Sequence, residues 1–227
     1  MRTSIPTLPD HIRYIAIEGV IGVGKTSLAR MLAETFKARL VLEEFEENPF
    51  LARFYEDPER WALQTQLSFL VSRYYQQKQL LTPDLFQQVT VSDYLFDKDR
   101  IFARLNLEGE ELQLYETLYA IMEPTTPTPD LVIYLQASVD RLMQNIARRG
   151  RTYERHITRD YLTALQEAYT RYFFYYYKRP LLIINVTHID FVQCPEDFEK
   201  LLRMIADPTL RGITYFNPEP SRFGEKK

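Results

Sequence analysis

The run Gly19-Val-Ile-Gly-Val-Gly24-Lys25-Thr26 constrains this chain more than any other feature. It satisfies the GxxxxGK[ST] pattern, and its flanks are the ones that pattern requires. An apolar stretch, Tyr14–Glu18, precedes it, and a helical pattern opens at Lys25. Such a loop turns backbone N–H groups inward around phosphate oxygens, and the helix N-terminus behind it adds partial positive charge. Gly19, Gly22, Gly24, Lys25, Thr26 and Ser27 are therefore the candidate nucleotide-binding set. Lys25 is expected to reach the β- and γ-phosphates, and the Thr26 hydroxyl to ligate magnesium. An incidental glycine-rich turn would not bring strand, helix and full motif into register.

A strand–loop–helix start of this kind belongs to a parallel α/β sheet, and the rest of the chain carries the same alternation. Apolar runs at Leu40–Glu43, Val89–Asp93, Leu131–Leu135 and Leu181–Asn185 join the first as five buried strands. Each is rich in Val, Ile or Leu without strict alternation, as strands covered on both faces are. Helical patterns lie between and after them at Lys25–Lys37, Pro58–Leu81, Glu108–Met122, Val139–Arg149, Arg159–Tyr177 and Glu196–Ala206. The expectation is a three-layer α/β fold with a five-stranded parallel sheet, built as one domain over 1–227. The prolines at 124, 127 and 129 read as a loop into the fourth strand rather than a domain linker. From 207 to 227 no periodicity is evident, so this tail is expected to wrap over the surface or fray.

Composition narrows the function classes. A formal net charge of -3 lacks the basic excess of a general nucleic-acid binder. One cysteine, Cys194, excludes an internal disulfide framework and fits a reducing cytoplasm. No apolar run approaches the roughly 18 residues needed to cross a bilayer, and the N-terminus lacks a signal-peptide pattern. His11, His156 and His188 are scattered without ligand spacing. The aromatic cluster Tyr172–Tyr177 points all round a helix, which favours core or dimer packing over base stacking. Neither an NKxD-type guanine box nor a DxxG after the third strand occurs, which argues against a GTPase.

Carboxyl ends of parallel strands line the ligand crevice in open α/β sheets. Glu43 and Glu44 close the second strand, where a carboxylate could take the proton of an attacking hydroxyl; Glu43 is preferred. Asp93 closes the third strand and fits a magnesium-orienting role beside Thr26. Gln66 and Arg73, two helical turns apart, share a face suited to a nucleobase edge, although a solvated polar face would have the same spacing. Arg148, Arg149, Arg151 and Arg155 crowd like charges together, as expected of a lid over a triphosphate at about 148–156. On a continuous helix Arg148, Arg151 and Arg155 would share one face. Arg148 and Arg151 are the candidates for stabilising charge during transfer, Arg149 and Arg155 for holding the nucleotide.

Glu43-Glu44-Phe45, Asn48-Pro49-Phe50, Phe54-Tyr55-Glu56-Asp57-Pro58 and Trp61-Ala62-Leu63-Gln64-Thr65-Gln66 occur in an order that resembles the deoxynucleoside kinase family, closest to its bacterial deoxyguanosine/deoxyadenosine branch. Arg149-Gly150-Arg151 with Tyr153-Glu154 looks like that branch's lid. The resemblance runs from about Tyr14 to Tyr177. It implies a P-loop kinase fold and transfer of the ATP γ-phosphoryl group, with Mg2+, to the 5'-hydroxyl of a deoxynucleoside, purine favoured. It implies Glu43 as the catalytic base, Gln66 on the nucleobase, and Tyr55 with Glu154 on the sugar 3'-hydroxyl. Family members are usually homodimers through long helices.

One departure matters. Where the family usually has Asp/Glu-Arg-Ser, this chain has Asp93-Tyr94-Leu95. A substitute cation is expected from Lys98 or Arg100, with Arg100 favoured because a guanidinium can reach bidentately. Two rival readings follow. A nucleoside monophosphate kinase would need Arg53, Arg60 and Arg73 to converge on a second anion site. A nucleotide-binding regulatory module would need no replacement for the missing arginine.

Overall fold

The computed structural model describes residues 6–82 and 87–221. Its frame is a six-stranded sheet of β1 (Tyr14–Gly19), β2 (Arg39–Val41), β3 (Thr90–Ser92), β4 (Leu131–Gln136), β5 (Leu181–Asn185) and β6 (Ile213–Phe216). The strand order is β2-β3-β1-β4-β5-β6 and every pairing is parallel. Ile15 sits opposite Val91 on one side and Leu131 on the other, so β1 runs up the middle and the chain reverses direction about it. That arrangement opens a crevice at the carboxyl end of β1, where the glycine-rich loop lies.

Eight helices were found among the described residues: α1 (Lys25–Phe36), α2 (Leu51–Glu56), α3 (Pro58–Leu80), α4 (Lys98–Asn106), α5 (Gly109–Met122), α6 (Val139–Arg149), α7 (Arg159–Tyr175) and α8 (Pro195–Ile205). Local chemistry sets several boundaries. Asp57 caps α3 by accepting from the Arg60 N–H, with Pro58 as the first helical residue. Gly150, at φ 71, ends α6 in the left-handed conformation.

Ile15, Ile17, Val91, Val132, Ile133, Leu182 and Ile184 are fully buried between helices on the two faces, which explains why these strands lack alternation. A second core of Phe54, Leu70, Phe96, Tyr115 and Tyr119 fastens α2, α3, α4 and α5 together beside the sheet. The third layer thereby becomes a platform that holds α3 and α4 over the crevice.

Three expectations are corrected. The sheet has six strands, not five, because the segment after α8 returns to pair with β5 from Leu181↔Ile213 to Ile184↔Phe216. The stretch read as an aperiodic tail therefore contains a strand, and residues 222–227 lie outside the described residues. The arginines of the lid do not share a helical face, because α6 stops at Arg149 and a short turn, Thr152–His156, follows. The cluster Tyr172–Tyr177, by contrast, does point all round: Phe173 and Tyr177 enter the core while Tyr175 and Tyr176 stay exposed.

Candidate active site

The glycine-rich loop is held in a shape only small residues permit. Gly19 has φ 149, and a Cβ there would lie 2.5 Å from the Leu135 carbonyl oxygen. At Gly24 the backbone takes φ 107 and packs under the Phe191 ring, 3.0 Å from where a Cβ would be. Gly22 accepts a bond through its carbonyl from Asn145 of α6 at 2.8 Å. Lys25 Nζ donates to the Gly19 and Val20 carbonyls at 2.7 and 3.3 Å, folded along the inside of the loop. Burial and nearby Lys98 bring its ammonium down to a pKa of about 8.

Glu18, at the end of β1, is a residue that sequence reasoning missed. It is fully buried and accepts from the Gly19 N–H, the Leu95 N–H and the Tyr169 hydroxyl at 3.0, 2.7 and 2.9 Å. One carboxyl thus anchors the loop's first residue to the turn after β3 and to α7. Burial pushes its pKa up. A lone acid in an otherwise apolar strand was the available signal.

Thr26 Oγ1 donates to Asp93 Oδ2 at 2.6 Å, and Asp93 Oδ1 accepts from the Glu43 N–H at 2.7 Å. Asp93 therefore ties the start of α1 to the end of β2. Glu43 is the meeting point of the crevice. Its Oε1 accepts from Arg73 Nε at 2.9 Å and from Arg73 Nη2, and its Oε2 accepts from Lys98 Nζ. Burial alone would raise this carboxyl, but Lys98 and Arg73 together hold it well below the usual carboxylate range. Arg73 is itself fixed by Asp99, whose side chain is fully buried. Burial pushes Asp99 up to about 7 against the pull of Arg73.

Two cavities flank this centre. The larger, about 640 Å³, is walled by Gly22–Ser27, Glu43, Asp93, Arg141, Arg148, Arg149 and Asp190–Val192. The smaller, about 100 Å³, lies between α3 and the lid turn and is lined by Tyr55, Gln66, Phe69, Arg73, Lys98 and Glu154. Lys25, Thr26, Glu43, Asp93, Arg149 and Arg151 border both, so the two spaces meet at Glu43. Gln66 is 2% exposed with Oε1 unpartnered, which rules out the solvated polar face. Asn48 bridges to the Thr65 carbonyl at 3.0 Å beside it. Across the cavity Glu154 takes a forked pair from Arg149 and a longer bond from Arg151, while Arg151 stacks over Phe45 at 4.1 Å. Tyr55 stacks on Tyr153 at 6.1 Å.

Two candidates fall outside. Arg100 turns away from the crevice: it pairs with Glu116 and lies over Tyr119. The cation that reaches Glu43 is Lys98. Arg155 is exposed on the lid turn and borders neither cavity. Arg53 and Arg60 both stack on Trp61, 4.9 and 5.4 Å from its ring centre, and do not converge with Arg73.

A glycine-rich phosphate loop at the switch point of a parallel sheet, facing a carboxylate between two cations, defines a P-loop phosphotransferase. The family model for deoxynucleoside kinase matches residues 15–209, and the chain belongs to that family. It is 34% identical over 159 residues to deoxyguanosine kinase of Bacillus subtilis, covering 69% of this chain and 76% of that one. It is 30% identical over 210 residues to deoxyadenosine kinase of Dictyostelium discoideum, covering 90% and 83%. A solved structure of deoxyadenosine kinase from M. mycoides with bound dATP superposes with a TM-score of 0.72 at 24% identity, over 83% of this chain and 98% of that one, a likeness of fold.

Proposed function

We propose that the protein transfers the γ-phosphoryl group of ATP to the 5'-hydroxyl of a deoxynucleoside, with purines favoured. The observation that carries this reading is Glu43, an ionised carboxylate standing where the phosphate-loop cavity meets the pocket lined by Gln66. A carboxylate offers about four acceptor positions. Arg73 Nε, Arg73 Nη2 and Lys98 Nζ use three, leaving one for a substrate hydroxyl.

In the proposed reaction the larger cavity takes the triphosphate, with loop amides and Lys25 around its phosphates and Arg148, Arg149 and Arg151 at its edge. The smaller pocket takes the nucleoside, its base against Gln66 and Arg73 and its sugar between Tyr55 and Glu154. The 5'-oxygen attacks the γ-phosphorus, the bond to the β,γ-bridging oxygen breaks, and ADP leaves. The hydroxyl proton passes to Glu43. Negative charge spreads over the equatorial oxygens during transfer, and fixed cations are what stabilise it. Lys98 supplies such a charge beside the acceptor oxygen, in the place of the arginine that Tyr94 does not provide.

Thr26 and Asp93 fit a magnesium site. The ion takes only one or two protein oxygens and completes its shell with phosphates and water, and Thr26 Oγ1 and Asp93 Oδ2 lie 2.6 Å apart beside the loop. Among the described residues no larger group of acidic, His or Cys ligands competes for it. When bound, the ion would neutralise charge between the β- and γ-phosphates.

A pocket of about 100 Å³ is smaller than the roughly 300 Å³ and above typical of ligand sites. The Arg149–Glu154 and Arg151–Phe45 contacts across it support a lid near 148–156 that opens to admit the nucleoside, with 1–227 acting as one domain. The relatives named as deoxyguanosine and deoxyadenosine kinases support the purine preference, and the amide of Gln66 offers a donor beside an acceptor to the edge of a base. Exposed Tyr75 on α3 and Tyr175 on α7 offer long-helix surface for a homodimer. No helix among the described residues is long and apolar enough to cross a membrane, and the activity proposed here is a cytoplasmic one.

The test is a pair of variants. Glu43→Gln keeps the shape but cannot take the proton, so kcat is expected to fall by about 100-fold or more, while Glu44→Gln changes it far less. Equal effects, or the reverse order, would reject Glu43 as the base.

A further inference from the structure

The sixth strand has a consequence for the site. Because β6 runs parallel to β5, the chain leaves it after Phe216 at the carboxyl end of the sheet, the same end as the phosphate loop. The turn after β5, residues 186–193, emerges at that end too and forms one wall of the larger cavity through Val186, Ile189, Asp190, Phe191 and Val192.

A single buried acid joins these two segments. Asp197 lies in the first turn of α8 and is 1% exposed. Its Oδ1 accepts from the Ser221 N–H at 2.9 Å, the Ser221 hydroxyl at 2.7 Å and Lys200 Nζ at 3.4 Å. Lys200 also donates to the Glu219 carbonyl at 2.6 Å. The other oxygen, Oδ2, accepts from the Asp190 N–H at 3.1 Å. Asp190 in turn shapes the cavity wall: its Oδ1 accepts from the Val192 and Gln193 N–H groups, and its Oδ2 from Arg141 of α6 at 3.3 Å. The next residue, Phe191, is the ring packed on Gly24 of the phosphate loop.

We infer that Asp197 is a positioning residue for the donor nucleotide, setting the wall formed by Asp190–Val192 through a clip whose other half is the C-terminal segment at Glu219–Ser221. This rests on the reading that the larger cavity receives ATP. The physical argument is one of satisfaction. A buried carboxylate needs nearly all its acceptor positions filled, and two of the donors reaching Asp197 come from Ser221. Burial would raise its pKa, but the Ser221 bonds and the Asp190 N–H outweigh burial and keep it low, so it remains an ionised anchor. If the clip is released, Asp197 turns toward water and the Asp190 N–H loses its acceptor. The turn carrying Phe191 and Arg141's partner then loosens against the loop. Nothing in the clip touches Gln66, Tyr55 or Arg73, so the nucleoside side has no path to feel it.

The role separates from simple structural support by a split in kinetic constants. In the full chain, Asp197→Ala is expected to raise KM for MgATP by about fivefold or more, as loss of hydrogen bonds to a charged group does. KM for the deoxynucleoside and kcat at saturating ATP stay within about twofold. Asp197→Asn, which keeps an acceptor oxygen, recovers part of the ATP KM. Ser221→Pro removes both donors from the far side of the clip without entering the core and is expected to shift the same constant in the same direction, so it decides the matter if Asp197→Ala does not fold. Direct MgATP titration by calorimetry accompanies the kinetics. Unchanged ATP binding in folded variants, or an equal rise in both KM values, overturns the inference while leaving the kinase reading intact. Absence of MgATP binding by the unaltered protein overturns both.

Discussion

Replacing Lys98 by Met tests how the crevice makes up for the arginine its motif lacks. Lys98 and Arg73 share Glu43, and the side chains of Lys98 and Glu43 are only 8% and 11% exposed, so screening by water is weak. An opposite charge at this range shifts a carboxylate by about one to three pKa units, or about 1.4 to 4 kcal/mol. Without Lys98, Glu43 keeps Arg73 but moves back up toward the ordinary carboxylate range. A carboxyl with a lowered folded pKa contributes stability above its unfolded value, and that contribution is lost as pH falls through the folded one. The unaltered protein therefore keeps Glu43 ionised throughout the accessible range, whereas in Lys98→Met the acidic limb of the kcat/KM profile should move up by about one to three pH units. At pH 7 the base is still ionised in both, so the remaining deficit reports lost charge stabilisation, about 100-fold in kcat. Lys98→Arg should recover part of it. Turnover of Lys98→Met within about threefold of the parent at pH 7, with no upward shift of the acidic limb, would refute both the charge argument and the substitution of lysine for arginine.

Arg100→Ala, by contrast, should leave kcat within about threefold, because it only removes one of two arginine partners from Glu116 of α5, which Arg104 still holds; a deficit matching that of Lys98→Met would reassign the cation. Lys25→Ala should lower kcat by about 100-fold or more with an unchanged thermal melt, and near-normal turnover in a folded variant would remove the phosphate-loop assignment. Gln66→Ala should raise KM for the deoxynucleoside by about tenfold while leaving KM for ATP unaltered, which steady-state kinetics with each substrate varied in turn can check.

The four inner strands, β1, β3, β4 and β5, were legible because helices cover their faces, leaving apolar runs with no competing period, and the edge strand β2 showed through its short Leu-Val run. The sixth was not. Ile213 and Tyr215 are exposed while Thr214 and Phe216 are half-buried, so a four-residue edge strand carries too short a pattern to stand out from a loop. Within the site, the phosphate loop was readable because its chemistry is contiguous in the chain. The choice between Lys98 and Arg100 depended on helix phase instead. Successive residues of a helix turn by about 100°. With α4 starting at Lys98, Lys98 and Asp99 face Glu43 and Arg73 while Arg100 faces α5. Preference for a bidentate guanidinium was sound chemistry applied to a side chain pointing the other way. The shared face drawn for the lid arginines failed for a related reason: it ran through Gly150, which ends the helix. Asp99 and Asp197 left no sequence signal, since their partners are recognisable only in the fold, whereas Glu18 was marked by being the lone acid of an apolar strand.

The central claim is that the acceptor is a hydroxyl rather than a phosphate. Arg53 and Arg60 stack on Trp61 outside the crevice, and Arg73 is engaged by Glu43 and Asp99. Incubating the protein with γ-labelled ATP, Mg2+ and matched panels of deoxynucleosides and their 5'-monophosphates, and separating the labelled products, reads this directly. The account predicts labelled 5'-monophosphates from the deoxynucleosides, fastest with deoxyguanosine or deoxyadenosine. Label appearing chiefly in diphosphates made from the monophosphate panel would contradict it, as would ATP binding with no transfer to either panel.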